Sequence, residues 1–191
     1  DLIYEVVFGA NYEPIADARY NSDAFQTFLQ KQREILTDTF ETDSLPLFRG
    51  VGPKYIASRS PAFAYDEPPS DSPEYFFKMD ESEVEDVVDH IKRGTTILER
   101  DPVDSWTSNP HEALKFATND SEDIGFVIRN NTKLDEIAYS TLVYPKDLSE
   151  QEFSLFNMKK EFQPNNFNVR KGLDDGEVTE EDWVWLYKNL P

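Results

Sequence analysis

The chain contains no cysteine and only two histidines, His90 and His111. Without thiols it can form neither disulfides nor thiolate metal sites, and two histidines are too few for a multi-histidine zinc site. It also lacks an apolar run of the roughly 18 residues that a membrane-spanning helix needs, and no signal-peptide pattern opens it. We therefore expect no metal site and no membrane span in this chain, while its compartment stays open.

Basic residues are also scarce, since 19 Lys and Arg stand against 38 Asp and Glu, for a net charge of -19. The acids are spread along the whole chain. Such a field repels phosphate backbones, which argues against a nucleic-acid or anionic-membrane surface. Two explanations stay open: solubility in concentrated salt, where the Debye length is about 3 Å at 1 M, or an acidic face for a cationic partner.

Aromatic and aliphatic residues are plentiful enough for a core. Hydrophobic residues make up 38% of the 191 residues, and aromatic residues 14%. This length and composition suit one folded domain. We expect a single domain over 1–191, with a helical N-terminal part at about 1–44, a core at about 45–172 and a C-terminal helix at about 179–190.

Two segments have the pattern of amphipathic helices. The segment 82–93 begins with a capping box that we assign to Ser82 and Glu85. His90 lies outside the apolar stripe of this segment, and we expect its imidazole to be solvated. Residues 22–40 repeat apolar side chains at helical spacing. The apolar positions of this segment are Phe25, Phe28, Leu29, Leu36 and Phe40.

Short β-type runs fill most of the remaining chain, and a proline-rich acidic segment, 58–76, is expected to be a long surface loop. Because few helices separate the strands, regular β-α-β alternation is absent, and the pattern favours a largely antiparallel α+β fold. The predicted strands are 46–51, 95–100, 124–130, 138–144, 152–158 and 166–171.

The stretch DSWTSNPHEALKFA, residues 104–117, joins a helix start to residues that helix formation does not require. Pro110 suits the first helical position, and Ala113 and Phe116 are expected to face the core. Helix capping and packing leave residues 105–107 without an explanation.

Two further motifs place polar residues on predicted strands. Arg49 interrupts the apolar run LPLFRGVG and precedes Gly50 and Gly52, where a backbone can approach a flat ligand closely. In DLSEQEFSLF, Glu150 and Glu152 share one strand face by alternation. Paired carboxylates also occur in glycosidases, but those pairs come from separate elements about 5 to 9 Å apart, which disfavours that class.

Taken in chain order, LFRG, SWTSNPHEALKFA and SEQEF resemble the Arg-Ser-Glu class of mono-ADP-ribosyltransferases, the cholera-toxin-like and clostridial-C3-like group. The resemblance covers roughly residues 45–160. Its most specific part is SWTSNPHEALKFA, because related bacterial and phage sequences carry a Ser-Trp-Thr version ahead of an Ala-x-x-Phe-Ala helix. The resemblance implies an α+β core of two facing, mainly antiparallel β-sheets with flanking helices, with the nicotinamide cleft between the sheets.

The resemblance also implies a role for each motif. Arg49 is expected to bind the phosphate and ribose of NAD, with the Gly50 backbone near the nicotinamide amide. Ser105 is expected to hold the catalytic glutamate and the ribose in register, with Thr107 supporting the strand. Glu152 corresponds to the catalytic glutamate, and no metal takes part.

The resemblance defines the acceptor residue and the aromatic ring that stacks on nicotinamide less closely. Glu150 corresponds to the residue that orients the incoming nucleophile, and a glutamate there is associated with arginine as acceptor. Phe63, Tyr65 and Phe126 are all candidates to stack on nicotinamide. The expected function is NAD-dependent mono-ADP-ribosylation of a protein, and a virion-associated, a cytoplasmic and a secreted location all stay open. The alternatives are a non-catalytic interaction or virion-structural module of the same fold, and NAD hydrolysis without a protein acceptor.

Overall fold

The computed structural model describes residues 23–63, 79–99, 103–118, 124–143, 152–156 and 159–171. Four α-helices and eight strands lie in these ranges, so the α+β class is confirmed. The helices are α1 (Asp23–Phe40), α2 (Pro53–Arg59), α3 (Glu81–Arg93) and α4 (Pro110–Thr118). The strands are β1 (Ser44–Val51), β2 (Thr96–Leu98), β3 (Val103–Thr107), β4 (Ile124–Lys133), β5 (Ile137–Ser140), β6 (Glu152–Phe156), β7 (Lys160–Phe162) and β8 (Phe167–Lys171).

The strands form a mostly antiparallel six-stranded sheet and a small second sheet. The order in the larger sheet is β5-β6-β3-β1-β4-β8, and β2 pairs with β7 in the smaller one. β5 with β6, β3 with β6, and β4 with β8 are antiparallel pairs, as is β2 with β7. The predicted antiparallel character is therefore confirmed, while the specific transferase core stays a prediction.

The chain divides into two compact units. The described residues of unit 1 are 23–47, 103–109, 130–143 and 152–156. Those of unit 2 are 48–63, 79–99, 110–118, 124–129 and 159–171. The predicted C-terminal helix at 179–190 and the first half of the N-terminal part, residues 1–22, lie outside the described residues, and the single-domain prediction stays a prediction.

Unit 1 is built around helix α1 packed on the sheet. Phe25 and Phe28 stack with ring centroids 5.9 Å apart and form a buried cluster with Tyr139 of β5. Each buried aromatic ring contributes about 2 kcal/mol of hydrophobic stabilisation. The apolar spacing of α1 correctly predicted this face, except that Phe40, at the helix end, is exposed.

Unit 2 brings helix α4 unusually close to the strands. A Cβ added at Gly50 would overlap the carbonyl oxygen of Ala113, and one at Gly125 would overlap that of Ala117. Only glycine permits this approach of backbone to backbone. The inward residues of α4 include Ala113, as predicted, but Phe116 is 47% exposed, so its predicted burial is wrong. The buried side chains of α4 are instead Ala113, Leu114 and Ala117, which pack with Phe48 and Val127.

Two local predictions in unit 2 need correction. The capping box of α3 is formed by Asp80 and Glu83, not by Ser82 and Glu85, because the helix begins one residue before Ser82. The Asp80 side chain accepts the amide of Glu83 at 2.9 Å. Helix α2 was not predicted, and it occupies the first two residues of the loop expected at 58–76; residues beyond 63 in that loop lie outside the described ranges.

Candidate active site

Glu152 begins an interior strand of unit 1. β6 lies between β5 and β3 in the sheet, so Glu152 is not on a sheet edge. The register pairs Thr107 with Glu152 and Ser105 with Ser154. Side chains of directly paired residues lie on the same face of a sheet, and diagonal neighbours two residues away are within reach of long side chains. Ser105 is therefore a diagonal neighbour of Glu152 on one face.

The Ser105 hydroxyl donates to Oε1 of Glu152 at 2.5 Å. A hydroxyl that donates to one carboxylate oxygen in this way fixes the orientation of the Glu152 side chain. Ser105 is exposed and Glu152 half-buried, so the pair is open to a ligand. Within the described residues no Lys or Arg pairs with Glu152, so a structural ion pair does not neutralise this carboxylate there.

The backbone of Glu152 is fixed separately from its side chain. Both the amide and the hydroxyl of Thr141 donate to the Glu152 carbonyl oxygen, at 3.0 and 3.2 Å. Thr141 directly follows the last residue of β5, at the start of the turn 141–143. These two bonds hold the main chain at Glu152, and the Ser105 bond orients its side chain.

Tyr139 of β5 lies on the other side of Glu152. It pairs with Ser154, as Ser105 does from β3, so three hydroxyl-bearing residues form a row across β5, β6 and β3. Tyr139 is 7% exposed. Burial raises the pKa of the Tyr139 phenol above its ordinary value, and the negative charge of Glu152 raises it further. Tyr139 is therefore neutral at physiological pH and electrostatically coupled to the carboxylate.

The residues beside Ser105 have structural roles. Trp106 is 3% exposed and belongs to the core, which explains the tryptophan between two polar residues. The Thr107 hydroxyl accepts the amide of Asn109 at 2.9 Å, at the turn that leads from β3 into α4. Thr107 thus stabilises the end of this strand, while its predicted part in the NAD site stays a prediction.

Arg49 lies on strand β1, as the predicted strand at 46–51 required, and belongs to unit 2. Its guanidinium carbon is 4.7 Å from the centroid of the Tyr55 ring, in a cation–π contact. Tyr55 belongs to helix α2 and was not singled out from the sequence. Gly50 follows, and close packing on α4 accounts for glycine at that position. A contact of this kind between a cation and an aromatic face is attractive and restricts where the guanidinium can lie.

The aromatic candidates for nicotinamide stacking have different outcomes. Phe126 is fully buried and offers no ring face to a ligand, so that candidate is wrong. Phe63 lies edge-on to His90 with centroids 5.1 Å apart, and His90 is half-buried, contrary to the prediction of a solvated imidazole. Tyr65 and Glu150 lie outside the described residues.

A separate open groove of about 640 Å³ lies in unit 1 beside α1. None of Arg49, Ser105 and Glu152 lines it. We place the candidate chemistry at the Ser105–Glu152 pair, because the groove walls hold no comparable bonded pair of a carboxylate and a hydroxyl. The groove is lined by Asp23, Gln26, Thr27, Leu29, Gln30, Arg33, Leu134, Asp135, Ile137 and Phe156.

Sequence reasoning missed Tyr139 and Thr141 as neighbours of Glu152. Both fall in the predicted strand 138–144, but only the observed β5–β6 register places them beside the glutamate. The observed β5 ends at Ser140, and a turn follows at 141–143. No local sequence signal fixes that register, because it contains an irregularity between Ile137 and Tyr139.

Comparison with known proteins adds no relative: no protein-family model, no curated protein and no solved structure matches the chain. Across the described ranges, no group of three or more His, Asp and Glu is arranged to hold a metal ion. None of the helices in those ranges is long and apolar enough to cross a membrane.

Proposed function

We propose that the protein is an NAD-dependent mono-ADP-ribosyltransferase that transfers ADP-ribose to a protein side chain, with release of nicotinamide. The observation that carries the proposal is the 2.5 Å hydrogen bond from Ser105 to Glu152 across adjacent interior strands. It joins the two residues that the family resemblance names as its serine and its catalytic glutamate, although they are 47 positions apart in the chain.

The chemistry requires a carboxylate of this kind. Breaking the bond between the nicotinamide nitrogen and C1′ of the ribose sends the bonding electrons to nicotinamide, and positive charge builds on the sugar. A fixed carboxylate beside the ribose stabilises that charge in the transition state more than in the ground state. In this proposal Ser105 holds Oε1 of Glu152, and Oε2 accepts the ribose 2′-hydroxyl.

The remaining roles follow from the resemblance. Arg49 binds the NAD phosphates, because a guanidinium can form two parallel hydrogen bonds with a phosphate. In a chain with a net charge of -19, a cation at this position offsets repulsion of the dinucleotide. Glu150 orients an acceptor guanidinium and takes the proton that the guanidinium loses as its nitrogen bonds to C1′.

The direct test is incubation with NAD and agmatine, a small guanidino compound that stands in for a protein arginine. We expect release of nicotinamide together with ADP-ribosylated agmatine, and Glu152→Gln should abolish both. Glu161→Gln, which changes an exposed strand glutamate of unit 2, is the matched control and should keep full activity.

Three results would change the proposal. Nicotinamide release without a labelled acceptor, for agmatine and for proteins alike, would indicate an NAD glycohydrolase. Undiminished turnover in Glu152→Gln would contradict the role of that carboxylate. No turnover by the folded wild-type protein, with any acceptor, would favour the non-catalytic module of the same fold.

A further inference from the structure

We propose that Tyr139 is a positioning residue for Glu152, confining the carboxylate from the β5 side while Ser105 holds it from the β3 side. The inference rests on the proposed function and adds to it a residue that none of the three motifs contains. Its basis is the arrangement of three neighbouring strands of unit 1, β5, β6 and β3.

The register places Ser105 and Tyr139 on opposite sides of Glu152. Both pair with Ser154, from opposite sides of β6, and Glu152 lies two residues before Ser154 on the same face. Each is therefore a diagonal neighbour of Glu152, at a Cα separation of about 7–8 Å, which long and aromatic side chains can bridge. On the β3 side this geometry already yields the hydrogen bond from Ser105.

The Tyr139 ring is held firmly enough to act as a wall. It belongs to the buried cluster with Phe25 and Phe28, against which Leu29 and Phe156 also pack. A ring packed in this way has few rotamers available, so its hydroxyl occupies a defined place. Helix α1 thereby gains a role in the site, since it holds the ring that borders Glu152.

The hydroxyl of Tyr139 is the group that interacts electrostatically with the Glu152 carboxylate. Burial and the charge of Glu152 both raise the pKa of Tyr139, so the phenol keeps its proton. A protonated phenol presents a positive dipole end and can donate to a carboxylate, whereas a phenolate would repel it. The hydroxyl of Tyr139 should therefore matter for Glu152, and not only the apolar ring.

The first experiment measures this coupling without any catalysis. The phenol titration of Tyr139 is isolated by subtracting the absorbance titration of each Tyr139→Phe counterpart. We expect Glu152→Gln to lower the pKa of Tyr139, because one of its two causes is removed, while burial keeps it above 10. Asp135→Asn, which removes an exposed acid near β5, should leave the titration unchanged. A Tyr139 titration identical in wild type and Glu152→Gln would overturn the inference.

The second experiment measures nicotinamide release. Tyr139→Phe keeps the ring and its packing, so we expect wild-type stability, a kcat about tenfold lower because the hydroxyl dipole beside Glu152 is removed, and an unchanged KM for NAD. An unchanged kcat in an otherwise active enzyme would overturn the inference and leave the proposed function intact. If wild-type protein released no nicotinamide, the proposed function would fail, and the part of Tyr139 in that reaction with it.

Discussion

Replacing Ser105 with alanine tests whether the Ser105–Glu152 hydrogen bond contributes to turnover or to the stability of the fold. The variant removes one hydroxyl that donates to a carboxylate at 2.5 Å. Hydrogen bonds to charged groups contribute about 1.5–3 kcal/mol. Because Ser105 is exposed and water can replace its hydroxyl, we take the lower end, which corresponds to roughly a tenfold loss of kcat.

Stability should respond differently from turnover. Ser105 is exposed, and its strand keeps its ladder pairing with β6 in the variant. Exposed substitutions of this kind change the free energy of unfolding by no more than about 0.5 kcal/mol. Urea unfolding followed by tryptophan fluorescence measures this, and the initial rate of nicotinamide release at saturating NAD measures kcat.

Ser105→Thr is the control, since it keeps a hydroxyl and suits a strand. It should retain more turnover than the alanine variant. The reasoning fails if Ser105→Ala keeps its kcat within twofold of wild type. It fails equally if the alanine variant loses more than about 2 kcal/mol of stability, because the bond would then serve folding.

Other expected outcomes concern packing, NAD binding, pH and salt. Gly50→Ala should destabilise unit 2 by about 3 kcal/mol in urea unfolding, because the added Cβ would overlap the Ala113 carbonyl oxygen. In the control Gly94→Ala the added Cβ meets no atom within 4 Å, so the stability should change by less than about 1 kcal/mol. Arg49→Lys keeps the charge but loses the planar fork, so the KM for NAD should rise about tenfold in steady-state assays, and an unchanged KM would exclude a phosphate contact. The folded-state pKa of Tyr139 lies above that of the unfolded chain, so the free energy of unfolding should fall as pH rises past about 10, and Tyr139→Phe should fall less. Raising NaCl to 1 M shortens the Debye length to about 3 Å, so the melting temperature should increase if self-repulsion of the acidic surface opposes folding.

Features that depend on neighbours along the chain could be predicted from the sequence. The spacing of Phe25, Phe28 and Leu36 marked the buried face of α1, and all three side chains are buried. Strand β8 and the core of β6 were found from short β-type runs. Helix α2 was missed because seven residues are too few for a helical periodic signal. Strand β7 was missed as well.

The candidate site was predictable in part. The order of the motifs named Ser105 and Glu152, and the structure brings their side chains into a hydrogen bond. Tyr139 could not be named, because its place beside Glu152 depends on the β5–β6 register and on a register irregularity between Ile137 and Tyr139. A shift of one residue would turn the tyrosine to the opposite face of the sheet.

The two Thr141 hydrogen bonds to the Glu152 carbonyl have a practical consequence for chemical biology. Since they hold the main chain whichever side chain is attached, position 152 can accept shortened or unnatural residues without displacing the strand. A truncated variant such as Glu152→Gly would open a space beside Ser105 that a small carboxylate, for example formate, could enter from solution. Such rescue would turn an inactive variant into a protein whose turnover is controlled by an added acid.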